Sequence, residues 1–347
     1  MTTTDDPRQP TRRPARIKDV ADLAGVSWKT VSNVVNGRSV VKASTRERVE
    51  AAISTLGYRP SLAARSLQSG RSNVITLAVP DLTNPYFAAL SHAVISEAAE
   101  HGFTVLTDVT SGDVEHERRV ASGYHSLFHD GIIFSPLTIG VDEILAVHDD
   151  TPLVTLGERI SGSRIDHVAI DNVASARELT QHLLSLGHRS IAFLGYKSQS
   201  MGTALLRERG YREALEHAEI AIDPDLLLPV DAYTRQGGAE AVERILARIG
   251  SIDAIVAGND LLAIGAMYQF ANNGIRVPED VAIAGWDNIL DGAYSTPSLT
   301  TIAPDDRMMA RLAVRALISR LDDPEADAEE FVVDHRLLVR QSTARRE

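Results

Sequence analysis

The sequence predicts an all-α head of three short helices followed by an α/β body of two doubly wound parallel-sheet lobes. Three observations carry that expectation. Apolar residues recur at helical spacing between Ile17 and Gly57. From Asn73 onward, short apolar runs of strand length alternate with helical stretches, twice over. The charge is also uneven. The formal net charge is −12, yet residues 1–71 carry 13 Lys and Arg against 6 Asp and Glu, leaving 22 against 41 for the remainder. A basic head on an acidic body points to a module that meets nucleic acid, fused to a unit with a different task.

At 347 residues the chain is too long for one small core. The absence of cysteine excludes disulfides, thiol nucleophiles and thiolate metal sites. No apolar run reaches the roughly 18 residues of a membrane helix, and MTTTDDPRQPTRRPAR contains no apolar secretory segment. A cytoplasmic protein without membrane contact is expected. Residues 1–15, rich in Thr, Pro and Arg, read as a disordered tail.

The head is expected over 16–60. Ile17, Val20, Ala21 and Ala24 make one apolar face, which Gly25 ends. Ser27 suits the N-cap of a second helix, with Thr30 three residues on, and Val31, Val34 and Val35 form its stripe before Asn36-Gly37. The third helix lies in STRERVEAAISTLGY, with Val49, Ala52, Ile53 and Leu56 on one side and Gly57 as C-cap. Two short helices about a glycine-containing turn form a helix-turn-helix. Such a motif directs the N-terminal end of its second helix into the major groove. Trp28, Lys29, Ser32 and Asn33 are expected to face outward there. Lys29 can donate to guanine acceptors and Asn33 can pair with adenine, while Thr30 and Ser32 suit phosphates. A helical hairpin packing on a protein partner is the competing reading.

The run IKDVADLAGVSWKTVSNVVNG…TRERVEAAISTLGYRPSLAARSL resembles the head of the lactose/galactose repressor (LacI/GalR) family. Its spacing matches from Asp19-Val20-Ala21 through Gly25-Val26-Ser27 and Thr30-Val31-Ser32 to Tyr58-x-Pro60, and the likeness extends over about nine-tenths of the chain. The resemblance implies a transcriptional regulator that binds double-stranded operator DNA as a homodimer. It places Ile17, Ser27, Trp28, Lys29, Thr30, Ser32, Asn33, Asn36, Lys42 and Tyr58 at the DNA. Two departures stand out: Asn33 replaces the family's usual Arg or Lys, and Lys42 its usual capping Ser. Lys42 can meet a phosphate but cannot accept a capping hydrogen bond, so Ser44 is expected to start the third helix slightly later.

Residues 61–72 form the join. Ser61–Leu67 is about two turns of good helix formers, too short to be stable alone in water. The resemblance implies a hinge helix that orders on operator DNA, pairs across the dimer at Ala63 and Ala64, and wedges Leu67 between base pairs. A plain flexible linker is the alternative.

The body is expected over 73–342. VITLAVP, FTVLTDV, DGIIFSP and PLVTLG read as buried parallel strands of the first lobe; HVAI, IAFLG, LLLPV, DAIVAG and VAIAGWD read as the second series. Crossover helices are expected in DVEHERRVASGYHSLFHD and VDEILAVHDD, and near 86–102, 173–186, 204–217, 236–249 and 260–272. Ligands bind such sheets at the strand C-termini, here in the cleft between lobes. The resemblance implies a periplasmic-binding-protein-like body with an effector site formed by Tyr86, Phe87, Ser135, Thr203, Arg207, Tyr233, Asn259 and Asp287. An Arg207–Asp287 bridge that merely holds the lobes together is the alternative for that pair. His182 and His188 lack an acidic partner in their motif and read as structural.

No dinucleotide fingerprint, P-loop, nucleophile elbow or zinc-protease motif occurs, so no enzyme, cofactor or metal is expected. The sequence thus reads as a ligand-responsive repressor, with a sugar as the commonest effector of such families and a nucleoside or sugar acid as alternatives. A co-repressor type, or a cytoplasmic sugar-binding protein without DNA function, are the competing readings. No leucine heptad follows the last strand, so no tetramerising extension is expected.

Overall fold

The computed structural model describes residues 15–35, 40–58, 71–123, 128–157, 165–196 and 202–344. The chain divides into two compact units between Ser72 and Asn73.

The first unit is helical: α1 (Ile17–Ala24), α2 (Trp28–Val35) and α3 (Ala43–Leu56). Asp19 accepts a 2.8 Å bond from the Arg16 amide, giving α1 an acidic first turn. Gly25 ends it at φ 63°, a conformation that a Cβ would penalise. Ser27 Oγ accepts the Thr30 amide at 3.1 Å and caps α2. The core is Val20, Ala21, Ala24, Val31, Val34, Val49 and Ala52, with Ile17, Ile53 and Tyr58 packed against it. Leu56, expected in that core, is 37% exposed as the last residue of its helix. The third helix also starts earlier than expected. It begins at Ala43, and the Lys42 carbonyl accepts the Thr45 and Arg46 amides at 3.0 Å. No side chain caps it; the backbone alone opens the ladder.

The second unit contains two six-stranded sheets. The strands are β1 (Val74–Val79), β2 (Thr104–Val109), β3 (Gly131–Phe134), β4 (Leu153–Leu156), β5 (Asp166–Ile170), β6 (Ile191–Tyr196), β7 (Leu227–Pro229), β8 (Ala254–Ala257), β9 (Ala282–Trp286), β10 (Thr300–Pro304), β11 (Glu330–Val333) and β12 (His335–Leu338). The helices are α4 (Pro85–Glu100), α5 (Val114–Ala121), α6 (Val141–Val147), α7 (Asn172–Ser185), α8 (Thr203–His217), α9 (Arg235–Glu243), α10 (Asp260–Asn272), α11 (Leu290–Tyr294) and α12 (Asp306–Asp322). The sheet orders are β11-β5-β4-β3-β1-β2 and β12-β10-β9-β8-β6-β7. The two lobes therefore repeat one doubly wound topology, differing in that β11 joins its sheet parallel and β12 antiparallel.

Several expectations are corrected. HVAI belongs to β5 of the first sheet, not to the second series. The chain crosses between sheets three times, after β5, after β10 and after β11. The lobes are thus discontinuous in sequence, which local periodicity cannot reveal because each crossing occupies only a residue or two. FTVLTDV is an edge strand with a mostly exposed pattern, Leu106 being 50% exposed; apolar content marked it as a strand but not its place in the sheet. The helix after β7 ends at Glu243, followed by a 3-10 turn over Leu246–Arg248. The helix in DVEHERRVASGYHSLFHD ends at Ala121.

Six helices of the body start from a side-chain cap placed just after a strand or turn; on α5, Asp113 accepts His116 N at 2.7 Å. Asn84 accepts Tyr86 N at 3.1 Å, Asp171 accepts Ala174 N at 2.8 Å, and Thr234 accepts Gly237 N at 3.0 Å. Asn259 accepts Leu262 N at 2.9 Å and Asp305 accepts Met308 N at 3.0 Å. These caps orient the first turns of the helices toward the strand C-termini, where a ligand of such a sheet is met. α12 returns to the first lobe and packs on α4, β3, β4 and β5.

Candidate functional site

Two sites emerge, one in each unit. In the head, Trp28 is 51% exposed at the start of α2, with Lys29 exposed beside it and Asn33 one turn on, half-buried. Thr30 is half-buried, and its hydroxyl lies 2.9 Å from Ser27 Oγ, so each hydroxyl already has a partner. Ser27, Thr30, Asn33 and Lys42 line a shallow concavity of about 420 Å³, together with Thr45 and Arg48 of α3. Those last two were missed because the third helix reads from sequence only as a packing element.

Ser32 contradicts its expected outward position, since it is buried. The helix stripe explains this. Val34, Val31 and Val35 already span an arc whose next position is Ser32, so a small residue there fits beneath the neighbouring helices. Ile17 and Tyr58 are half-buried against the head core rather than freely presented. Asn36, Ala63, Ala64 and Leu67 lie outside the described residues.

In the body, side chains from both lobes converge. Arg207, on α8, is the centre. Its Nε donates to Asn172 Oδ1 at 3.1 Å and its Nη1 to the Gly258 carbonyl at 2.6 Å. Its Nη2 stands 3.8 Å from Asp287 Oδ1, and its guanidinium lies 4.2 Å over the Trp286 ring. Asp287 follows β9 at φ 102° and Asn288 at φ 52°, two non-glycine residues in sparsely populated backbone. Such strain persists where surrounding structure enforces it, and it clusters at functional sites. Burial pushes the Asp287 carboxyl up to about 7, although Arg207 pulls the other way.

Tyr233 donates to the Gly195 carbonyl at 2.6 Å. It fits there because Gly195 and Gly258 flank it: a Cβ would fall 2.9 Å from its Oη at Gly195 and 2.8 Å from its ring at Gly258. Burial pushes its phenol up to about 12. Asn259 caps α10 and donates to the Tyr233 carbonyl at 3.4 Å, so its amide is largely committed to structure. From the first lobe, Tyr86 and Phe87 meet edge-on at 5.1 Å between ring centres, and Tyr86 Oη contacts Met309 Sδ of α12 at 3.7 Å. Burial raises the Tyr86 phenol; the charges of Asp306 and Asp287 add to this and Arg207 opposes it, so Tyr86 lies within electrostatic reach of all three.

Tyr86, Arg207, Tyr233, Asn259 and Asp287 are thereby brought together. Ser135 is buried at the end of β3 and Thr203 opens α8, and among the described residues no hydrogen bond or ion pair ties either to the Arg207 cluster. Sequence reasoning missed Asn172, Trp286, Asp306 and Met309. Asn172 looks like a capping residue, and Trp286 like core. Asp306 had a legible signal: two acids follow β10, while one cap uses only one. His182 Nε2 meets Thr343 Oγ1 at 3.0 Å, and His188 Nδ1 lies 3.6 Å from Asp253, both outside this cluster. Among the described residues there is no grouping of His, Asp and Glu able to hold a metal ion.

Residues 16–61 match the bacterial regulatory proteins of the lacI family, and residues 180–343 match a periplasmic binding protein-like domain. The HTH-type transcriptional regulator CelR of Thermobifida fusca is 33% identical over 345 residues, covering 95% of this chain and 99% of that protein. The chain belongs to the lacI family. Among solved structures of similar proteins, a CelR–cellobiose complex is 30% identical with a TM-score of 0.71, covering 94% of this chain and 99% of that one. The lac repressor dimer bound to operator and the anti-inducer ONPF is 27% identical with a TM-score of 0.83, covering 95% and 99%. This lacI-family chain is thus a DNA-binding transcriptional regulator with a ligand-binding body. No helix among the described residues is long and apolar enough to cross a membrane.

Proposed function

We propose that the protein is a cytoplasmic repressor, not an enzyme, which binds a pseudo-palindromic operator as a homodimer and is released by a sugar-like effector. Residues 16–60 serve as the DNA-reading head, 61–72 as the hinge and 73–342 as the effector-binding and dimerisation body. Trp28, Lys29 and Asn33 read bases, while Ser27, Thr30, Lys42 and Arg48 hold phosphates. Arg207, Asp287, Tyr233 and Tyr86 hold the effector. The observation that supports this reading best is the Arg207–Asp287 corner: a charge couple 3.8 Å apart at the strand ends, short of hydrogen-bond distance, with the guanidinium stacked on Trp286. A sugar fits this chemistry, offering hydroxyls to Arg and Asp and a C–H face to aromatic rings. CelR in complex with cellobiose and the ribose operon repressor of Halalkalibacterium halodurans, 33% identical over 328 residues, support the same class.

The effector must bind two states of the body unequally, or nothing switches. A ligand that contacts both lobes does so when they close upon it. The test is selection of full-length protein on random duplexes, with and without a panel of sugars. An enriched palindrome weakened by one sugar is expected. Strengthening by the sugar would make the ligand a co-repressor. No enriched sequence would overturn the regulator reading for this chain.

A further inference from the structure

Buried carboxylates in this body are otherwise well engaged. Glu117, fully buried, accepts the Leu137, Thr138 and Ile139 amides and the Thr138 hydroxyl at 2.7–3.0 Å. Asp166 takes Arg320 through two 3.0 Å bonds and the Glu329 amide at 2.8 Å. Asp260 takes Thr301 Oγ1 at 2.7 Å and the Ile289 amide at 2.9 Å. Asp306 breaks the pattern. Its Oδ1 is buried without a hydrogen-bond partner, and its helix has no use for it, because Asp305 already supplies the cap. Beneath the Arg207 guanidinium, Trp286 Nε1 is a buried donor with no acceptor, and Asp287 has only that guanidinium, at 3.8 Å. Unmet buried polar groups each cost roughly 1–3 kcal/mol, so several in one corner imply a partner that completes them.

We propose that Asp306 is an effector-binding residue, and that Asp306 of the first lobe with Asp287 of the second selects a neutral or cationic, donor-rich effector and excludes anionic ones. This rests on the cleft reading above and narrows its ligand class. Unmodified sugars and amino sugars are admitted; sugar acids and sugar phosphates are not. Arg207 offsets only one of the two carboxylate charges: it faces Asp287 at 3.8 Å, while its Nε and Nη1 already donate to Asn172 and the Gly258 carbonyl. An incoming anion would thus meet two carboxylates. Asp306 lies one turn before Met309, which meets the Tyr86 hydroxyl at 3.7 Å, and burial raises its carboxyl to about 7, with the charges of Asp287 and Asp305 adding to the effect. A donor group set between Asp306 and Asp287 relieves that like-charge repulsion only when the lobes are closed, which gives the ligand its differential affinity for that state.

The test is calorimetric titration of the full-length protein with glucose, cellobiose, glucosamine, glucuronate and glucose 6-phosphate. Wild type, Asp306→Asn, Asp306→Ser and Arg207→Ala are compared, with thermal unfolding of each as the check on folding. The wild type is expected to bind a neutral or amino sugar and neither anion. Both Asp306 substitutions are expected to weaken that binding by about tenfold or more. Tighter binding of an anion to the wild type, or unchanged binding in folded Asp306 variants, would overturn the proposal. If Asp306→Asn binds like wild type while Arg207→Ala does not, the cleft reading stands and the role of Asp306 falls. If no probe binds the wild type, the carbohydrate reading falls and takes this proposal with it.

Discussion

The chain has two tryptophans, and they sit under opposite constraints. Trp28 opens α2 half in solvent, 51% exposed, beside other side chains that reach outward. Trp286 is 1% exposed beneath the Arg207 guanidinium, in a corner where each group leans on the next. The head therefore presents a surface whose partner is large, polyanionic and external. The body instead builds a corner whose missing partner is small and donor-bearing. A surface of the first kind tolerates independent substitution, and its contacts add nearly singly. The second kind is coupled, so loss of one member propagates through the rest.

Arg207→Ala should break the coupled corner most severely. It removes a charge, a stacking partner for Trp286 and two hydrogen bonds, so effector affinity should fall by a factor on the order of 100 or more. Isothermal titration with the best-binding sugar measures it, and retention within about threefold would disprove the coupling. On the head, Lys29→Ala should cost about tenfold or more in operator affinity, and the loss of its charge from the DNA surface should lower the salt slope by about 1. Fluorescence anisotropy at several salt concentrations reads both quantities. Trp28→Ala should fall in the same range without changing that slope.

Protonation sharpens the contrast. Burial sets the Asp287 carboxyl at about 7 against an unfolded value of about 3.9. Between those values the folded body holds a proton that the unfolded chain releases, so this stability is fully present below the unfolded value and is lost as pH rises through about 7. Asp306, also at about 7, acts in the same sense. Asp260, Tyr86 and Tyr233, also around this corner, are raised as well, and none reverses that sign. The thermal midpoint of the unliganded protein should therefore rise more steeply on going from about pH 8 to pH 6 in wild type than in Asp287→Asn. Equal slopes would remove Asp287 as the titrating group. The smallest expected effect is in the head. Lys42→Ser supplies the cap that α3 lacks and should stabilise it by about 0.5–1 kcal/mol. Slower amide exchange at Thr45 and Arg46 would show this, and unchanged exchange would refute it.

What could be read from sequence differed between the two units for physical reasons. The head's helices, its turn at Gly25 and the Ser27 cap follow from local spacing, because each is settled within a few residues. Ser32 was misplaced because a polar residue at the margin of a stripe can face either way until the third helix is in place. In the body, alternation revealed strands and crossover helices, and the resemblance pointed to Arg207 and Asp287. The three crossings between sheets were not legible, since pairing partners lie far apart in sequence. The doubled acid Asp305-Asp306 hinted at a second use, but where Asp306 acts depends on α12 returning to the first lobe, which local sequence does not show.

The decisive measurement is a titration of the operator-bound full-length protein with its best-binding sugar, following DNA anisotropy and tryptophan emission together in a Trp28→Phe background. The remaining tryptophan then reports the body. The account predicts that emission from Trp286 and operator affinity change over the same sugar concentrations, and that Arg207→Ala loses both responses. Saturation of the Trp286 signal with operator affinity unmoved would show that the cleft binds sugar without governing DNA, and would contradict it.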